Sequence, residues 1–172
     1  PYYVTEEVAA EQRRTMSARK PVAGSIAFKG DDKAFGLPHA YANTTEGYEL
    51  AGEGLKSPLT TTASNIEAGA ANYELMCTHC HGLEGKGDGA ISRNGHIMGI
   101  PDFSSKLKDL PEGKMYHTLI YGKGLMGSHS SQISQKGLWQ IIQYVQVLQK
   151  GGQMPTFDSN GVALVTETEN ND

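Results

Sequence analysis

Residues 77–82 read Cys77-Thr78-His79-Cys80-His81-Gly82. Cysteines with this spacing can each add across one vinyl group of a haem, and a histidine directly after the second is placed to ligate the iron. The stretch therefore reads as a c-type haem attachment site, and the rest of the chain as a wrapper for it. The rival readings ask for residues that are not supplied. A structural zinc site wants four ligands, but there is no further cysteine, and His39, His96, His117 and His129 are scattered without a matching pair. A thioredoxin-like dithiol belongs beside strands alternating with helices, and no run of β-branched strands provides that setting.

Composition agrees with a wrapper plus an appendage. A chain of 172 residues has room for one domain with a proper core. Its 38% hydrophobic content and 21 glycines point to a compact part and a poorly packed part. A net charge of −4 argues against nucleic acid as a partner. No stretch approaches the roughly twenty apolar residues needed to cross a bilayer. The best one, Leu138 to Leu148, is broken by Gln140, Gln143 and Gln146, which marks an amphipathic core helix. Both cysteines lie in one motif, so none is left for a disulfide. Thioether attachment in bacteria takes place on the exported side of the membrane, which predicts a periplasmic or outward-facing protein. A start at Pro1 fits removal of a leader peptide.

From the N-terminus to about residue 62 the pattern is weak. Glu6, Glu7 and Glu11 precede Arg13, Arg14, Arg19 and Lys20, which allows a short charged helix ending at Pro21. Residues 22–62 are Gly, Pro, Thr and Ala with single aromatics such as Phe28, Phe35, Tyr41 and Tyr48. Such a segment buries too little to offset the entropy of ordering it. The expectation is an extended arm laid on a partner protein, with packing on its own domain as the alternative. Ser64 and Glu67 form a capping box for a helix running to Met76, on which Gly69, Tyr73 and Cys77 share a face. The glycines of Gly82 to Asp88 lack Walker spacing, and are expected to bend the backbone around the edge of a flat macrocycle. Ile100 to Phe103 would cover a haem edge. Arg93 and His96 are candidates for the haem propionates, against the plainer reading of solvated surface. A short helix is predicted over Gly113–Tyr121, burying Met115, Leu119 and Ile120 and stopping at Gly122.

The iron needs a ligand opposite His81. Met126 stands in Gly122-Lys123-Gly124-Leu125-Met126-Gly127, a loop able to lay a thioether across the haem face. Lone methionines are often core filler; here the position favours ligation. His129, Met98, His96 and Met154 are competitors. Ser134 caps a last helix to about Lys150, whose stripe of Leu138, Ile141, Ile142, Val145 and Leu148 is expected to cross the helix ending at Cys77, with Gly69 and Tyr73 meeting Ile141 and Tyr144. Residues 153–172 are acidic, and predict a solvated or partner-facing tail.

Gly69 to Leu148 resembles class I cytochrome c. The resemblance rests on the run from Gly69 through Tyr73 and Cys77 to Gly82, on Pro101-Asp102-Phe103, on Gly122 to Met126, and on the helix Trp139–Leu148. Gly127 departs from the proline that often follows the family's methionine, which makes the ligand loop less stiff. The implied architecture is all-α: an arm over 1–62, a haem domain over 63–151, and a tail over 152–172. The implied cofactor is one covalently attached haem c, held by Cys77 and Cys80, with His81 and Met126 on the iron. Lys20 to Ala27, together with Gly87-Asp88-Gly89 and Gly122 to Gly127, is similar to the monohaem cytochrome c subunit of bacterial alternative complex III. That resemblance implies an electron-transfer subunit, not itself an enzyme, within a quinol-oxidising membrane complex at the periplasmic face of the inner membrane. Its partners would be the other subunits, a donor such as another cytochrome c subunit, and an acceptor oxidase or soluble cytochrome. It would be held at the membrane through those partners or a lipid anchor. The alternatives are the cytochrome c subunit of a haem-copper oxidase, a freely diffusing periplasmic cytochrome c, and a gas-binding or catalytic haem protein.

Overall fold

The computed structural model describes residues 39–164, so the charged helix expected near the N-terminus, the Lys20 to Ala27 segment and the last acidic residues lie outside the described residues. What is described is helical, with isolated β-bridges and no extended strand among these residues. The six helices are α1 (Thr45–Gly54), α2 (Ala63–Met76), α3 (Thr78–His81), α4 (Ala90–Arg93), α5 (Glu112–Tyr121) and α6 (Gln135–Gln149).

The frame is the crossing of α2 and α6. Ser134 caps α6 by accepting a hydrogen bond from the Gly137 amide at 3.1 Å. Leu138, Ile141, Ile142, Val145 and Leu148 are buried on one side of that helix, with Trp139 and Val147 beside them. Each such side chain contributes roughly 1.5–3 kcal/mol of burial. On α2 the buried face is Ile66, Gly69 and Tyr73. The predicted crossing is present: a Cβ on Gly69 would lie 1.9 Å from the Gln140 carbonyl oxygen, and the Tyr73 and Tyr144 rings are 5.3 Å apart. The start of α2 differs from expectation. Thr62, not Ser64, is the cap, its hydroxyl accepting from the Asn65 amide at 3.2 Å, while Ser64 is already helical. Helix α5 ends at Gly122, with φ at 84°, as predicted. Its buried face is Met115, Tyr116, His117 and Leu119, with Ile120 only partly covered.

Two boundaries move. The stretch 39–62, expected to belong to an extended arm, packs on the domain. Thr44 caps α1 by accepting from the Gly47 amide at 3.0 Å, and Ala51 is fully buried. Helix α1 docks on α5 backbone to backbone, since a Cβ on Gly113 would lie 1.8 Å from the Ala51 carbonyl oxygen. His117 Nε2 lies 2.9 Å from the Ala42 carbonyl oxygen, and the Tyr121 hydroxyl donates to that of Tyr41 at 2.9 Å. The C-terminal stretch is likewise not all solvated. Residues 153–164 fold back, with Phe157 bridged to Ala163 and Val162 to Thr62. The Ala163 amide donates to the Thr61 carbonyl at 2.9 Å. The turn is held by Asp158, whose carboxylate accepts from the Asn160 and Val162 amides at 2.8 and 2.9 Å.

Candidate functional site

Between α5, α6 and the loops on either side of α5 lies a cavity of about 430 Å³, within the roughly 300–1,000 Å³ range of cofactor sites. Ile141, Ile142 and Val145 of α6 and Met115 and Leu119 of α5 give it apolar walls. Cys77, Cys80, His81 and Met126 all line it. The four residues separated by up to 49 positions in sequence are thus brought to one space, and its predominantly apolar lining suits an apolar macrocycle.

The attachment motif is positioned by α2. That helix ends as the Cys77 amide donates to the Tyr73 carbonyl at 2.8 Å, and the single turn α3 carries Cys80 and His81 round to the cavity. The buried Tyr73 hydroxyl donates to the Gly82 carbonyl at 2.9 Å, tying the far end of the motif to the frame. Burial, and secondarily Cys80, push the Cys77 thiol up to about 12. Burial, and then the nearby His129, hold His81 below the usual imidazole range. Its ring is therefore neutral at pH 7, the form that ligates metals. The His81 ring stacks on Phe103, with centroids 4.9 Å apart and planes 17° from parallel. Its Nδ1 is buried without a hydrogen-bond partner among the described residues.

The glycines after the motif make close contacts with the loop that follows. Gly85 and Gly87 have φ of 69° and 75°. Added Cβ atoms would meet the Phe103 ring at 2.4 Å and the Ile100 carbonyl oxygen at 2.2 Å. They let the loop carrying Ile100 and Phe103 lie flat on the motif, and that loop, through Phe103, braces His81. The Phe103 amide donates to the Gly85 carbonyl at 2.9 Å, closing the contact.

The Met126 loop is stiffer than the absence of a following proline implies. Lys123 and Met126 exchange backbone hydrogen bonds at 2.8 and 3.0 Å, and Gly124, with φ at 60°, makes the turn between them. The His129 amide then donates to the Leu119 carbonyl at 2.9 Å, fastening the loop to the end of α5. Of the competitors for the distal position, Met98 is 82% exposed at the cavity rim, Met154 is half-exposed away from it, and neither His96 nor His129 is on its wall. Arg93 and His96 are both exposed and off the wall. Several lining residues were given no role in the site by sequence reading, among them Tyr48, delivered by α1, Lys123, Thr118 and the apolar Leu107 and Leu110. Tyr48 had no signal beyond being a lone aromatic in a weakly patterned stretch.

Residues 64–145, somewhat under half of the chain, match the model of the family described as Cytochrome C oxidase, cbb3-type, subunit III. No curated protein matches significantly. Among solved structures, the chain is similar to a chain of the Kuenenia stuttgartiensis reducing HAO-like protein complex, at 27% identity over 54% of this chain and 47% of that one, with a TM-score of 0.47. It spans about half of that chain's length. Similarity extends to cytochrome cL from the marine methylotrophic bacterium Methylophaga aminisulfidivorans, at 20% identity over 64% and 73% of the two chains (TM-score 0.42). Cytochrome cL from Hyphomicrobium denitrificans is 19% identical over 63% and 61% (TM-score 0.42). The matched span runs from α2 into α6 and takes in Cys77, Cys80, His81 and Met126, and the helical architecture agrees with the all-α class I cytochrome c domain expected from the sequence.

Proposed function

We propose that this chain is a monohaem electron carrier in which Cys77 and Cys80 bear the haem through thioether bonds and His81 and Met126 ligate its iron from opposite sides. The observation that carries this is the convergence of those four side chains on one apolar cavity. The haem supplies one-electron iron chemistry; the chain supplies the setting. His81 is kept neutral and braced by Phe103, and Met126 is fixed by its bridged turn. Methionine opposite histidine raises the potential relative to two histidines. A shell closed on both sides leaves no iron position for a substrate, so the role is carrier rather than enzyme. Leu125 and Met98 on the cavity rim are 80% and 82% exposed, and Leu83 beside the motif is 67% exposed. They offer an apolar landing for a redox partner close to the haem edge. The test is the mass and spectrum of the purified protein. Denatured material should retain haem mass, and lose it when Cys77 and Cys80 are both changed to Ala. A ferric haem that is high-spin, and binds carbon monoxide once reduced, would overturn the carrier reading.

Its place would be in a membrane-bound quinol-oxidising complex of the alternative complex III type, at the periplasmic face of the inner membrane. The likeness of Lys20 to Ala27 to that complex's monohaem subunit supports this reading. The complex as a whole would be a quinol:electron-acceptor oxidoreductase, with this chain passing electrons between another cytochrome subunit and an oxidase or soluble acceptor. No helix among the described residues is long and apolar enough to cross a membrane, so attachment would come through partner subunits or a lipid anchor. The family match over 64–145 favours a second reading, the cytochrome c subunit of a haem-copper oxidase. Mass analysis of the native assembly separates the two by naming the partners. Deleting residues 1–38, which spares α1, should release the chain from its assembly. Undiminished co-purification would show that the segment is no tether.

A further inference from the structure

Haem c is an apolar disc that carries two ionised carboxylates, and a carboxylate left uncompensated beside a low-dielectric wall is costly. Of the residues lining the cavity, Lys123 is the one with a lysine, arginine or acidic side chain. Its ammonium sits 3.5 Å from the centre of the Tyr48 ring, and Tyr48 lines the cavity too. The other hydroxyls on the wall are engaged: Tyr73 donates to the Gly82 carbonyl and Thr118 to that of Lys114, both at 2.9 Å. Lys114 also lies near the Tyr48 ring, at 5.1 Å, but it is paired with Glu49. Lys123 meets no carboxylate among the described residues. The cavity thus has one end where a cation and a phenol stand together without acidic partners.

We propose that the Lys123 ammonium and the Tyr48 hydroxyl receive haem propionate carboxylates, which makes α1 a working part of the haem site. This rests on the haem reading of the cavity, and it displaces Arg93 and His96, which are exposed and off the wall. It also gives a role to α1, which lies outside the 64–145 match. The placement of Tyr48 is fixed from behind: its ring packs edge-on against the buried His117 at 5.6 Å, and the α1 backbone is seated on α5 at Gly113. A cation held at a propionate offsets negative charge beside the iron and so favours the reduced state.

The test compares Tyr48→Phe, Lys123→Gln and Lys123→Arg with Lys106→Gln, an exposed lysine off the cavity wall, in the haem-loaded full chain. Tyr48→Phe keeps the ring under Lys123 and removes only the hydroxyl. Resonance Raman bands of propionate bending should shift in Tyr48→Phe and Lys123→Gln but not in Lys106→Gln. The reduction potential should fall in Lys123→Gln and recover in Lys123→Arg. Bands and potentials in Tyr48→Phe and Lys123→Gln that match Lys106→Gln would overturn the assignment. Denatured mass is read in every sample: parent protein without haem mass would bring down the reading of the cavity itself, whereas haem retained with unmoved bands sinks this proposal alone.

Discussion

Gly69 and Gln140 touch main chain to main chain where α2 crosses α6, with no room between them for a methyl group. Gly69→Ala would place a carbon 1.9 Å from a carbonyl oxygen that is fixed in a helix, so the helices must move apart and unseat Tyr73 and Ile141. The expected loss is about 3 kcal/mol, at the upper end for overpacking. Chemical denaturation of the haem-loaded protein measures it, and a variant as stable as the parent would refute the crossing geometry.

Met126 and His129 make opposite predictions for the distal side. The His129 backbone is pinned, donating to Leu119 and accepting from the Gln132 and Ile133 amides at 3.1 and 3.0 Å, and its ring is off the cavity wall. Met126→Ala should therefore keep its covalent haem, lose the sulfur-to-iron charge-transfer absorption, become high-spin and bind carbon monoxide. A low-spin spectrum typical of two histidines would show that His129 reaches the iron.

The seat of α1 should weaken in mild acid. The His39 ring lies 5.3–5.6 Å from those of Tyr41, Tyr116, His117 and Tyr121, and its Nε2 is buried without a partner. Burial, then the neighbouring His117, lower its pKa from 6.5 to about 4. Between those values the unfolded chain binds a proton that the native state does not, so stability falls as pH drops through the window and this contribution levels off below it. Comparing denaturation midpoints at about pH 7 and about pH 4.5, His39→Gln should show a smaller decline than the parent. Equal declines would exclude His39 as the source.

Tyr73→Phe removes the hydroxyl that holds the Gly82 carbonyl and leaves that acceptor only the longer hydrogen bond from the Gly85 amide at 3.4 Å. A loss of about 1 kcal/mol follows, with haem mass unchanged because neither thioether is touched. Thermal unfolding followed at the haem absorption gives the value, and an unaltered midpoint would argue against this tie.

The frame was legible because it is written in large side chains at helical spacing. Leu138, Ile141, Ile142, Val145 and Leu148 announce α6, and Gly69, Tyr73 and Cys77 announce the face it crosses. The residues singled out around the attachment motif and Met126 stood apart because each is a chemically unusual choice in its place. Helix α1 did not stand apart, for a physical reason: it docks on α5 through Ala51, whose carbonyl meets Gly113, and Gly52, which meets the Lys114 side chain, and contact through such small residues leaves no hydrophobic pattern. The C-terminal hairpin was hidden too, being held by bridges and by one carboxylate, Asp158, that reads as ordinary surface charge. Thr62 took the cap from Ser64 because its partner is the Asn65 amide, two residues before the glutamate that suggested the box.

At Gly113 the chain rests on the Ala51 carbonyl with only main-chain atoms between the two helices. Spacing there is set by bonded geometry, not by rotamers that can readjust. A pair of helices so seated cannot widen or narrow by exchanging rotamers, so α1 holds Tyr48 at a set distance from the cavity that this residue helps to line. Within 39–62, the small residues that made the stretch before α2 look idle are what permit that contact.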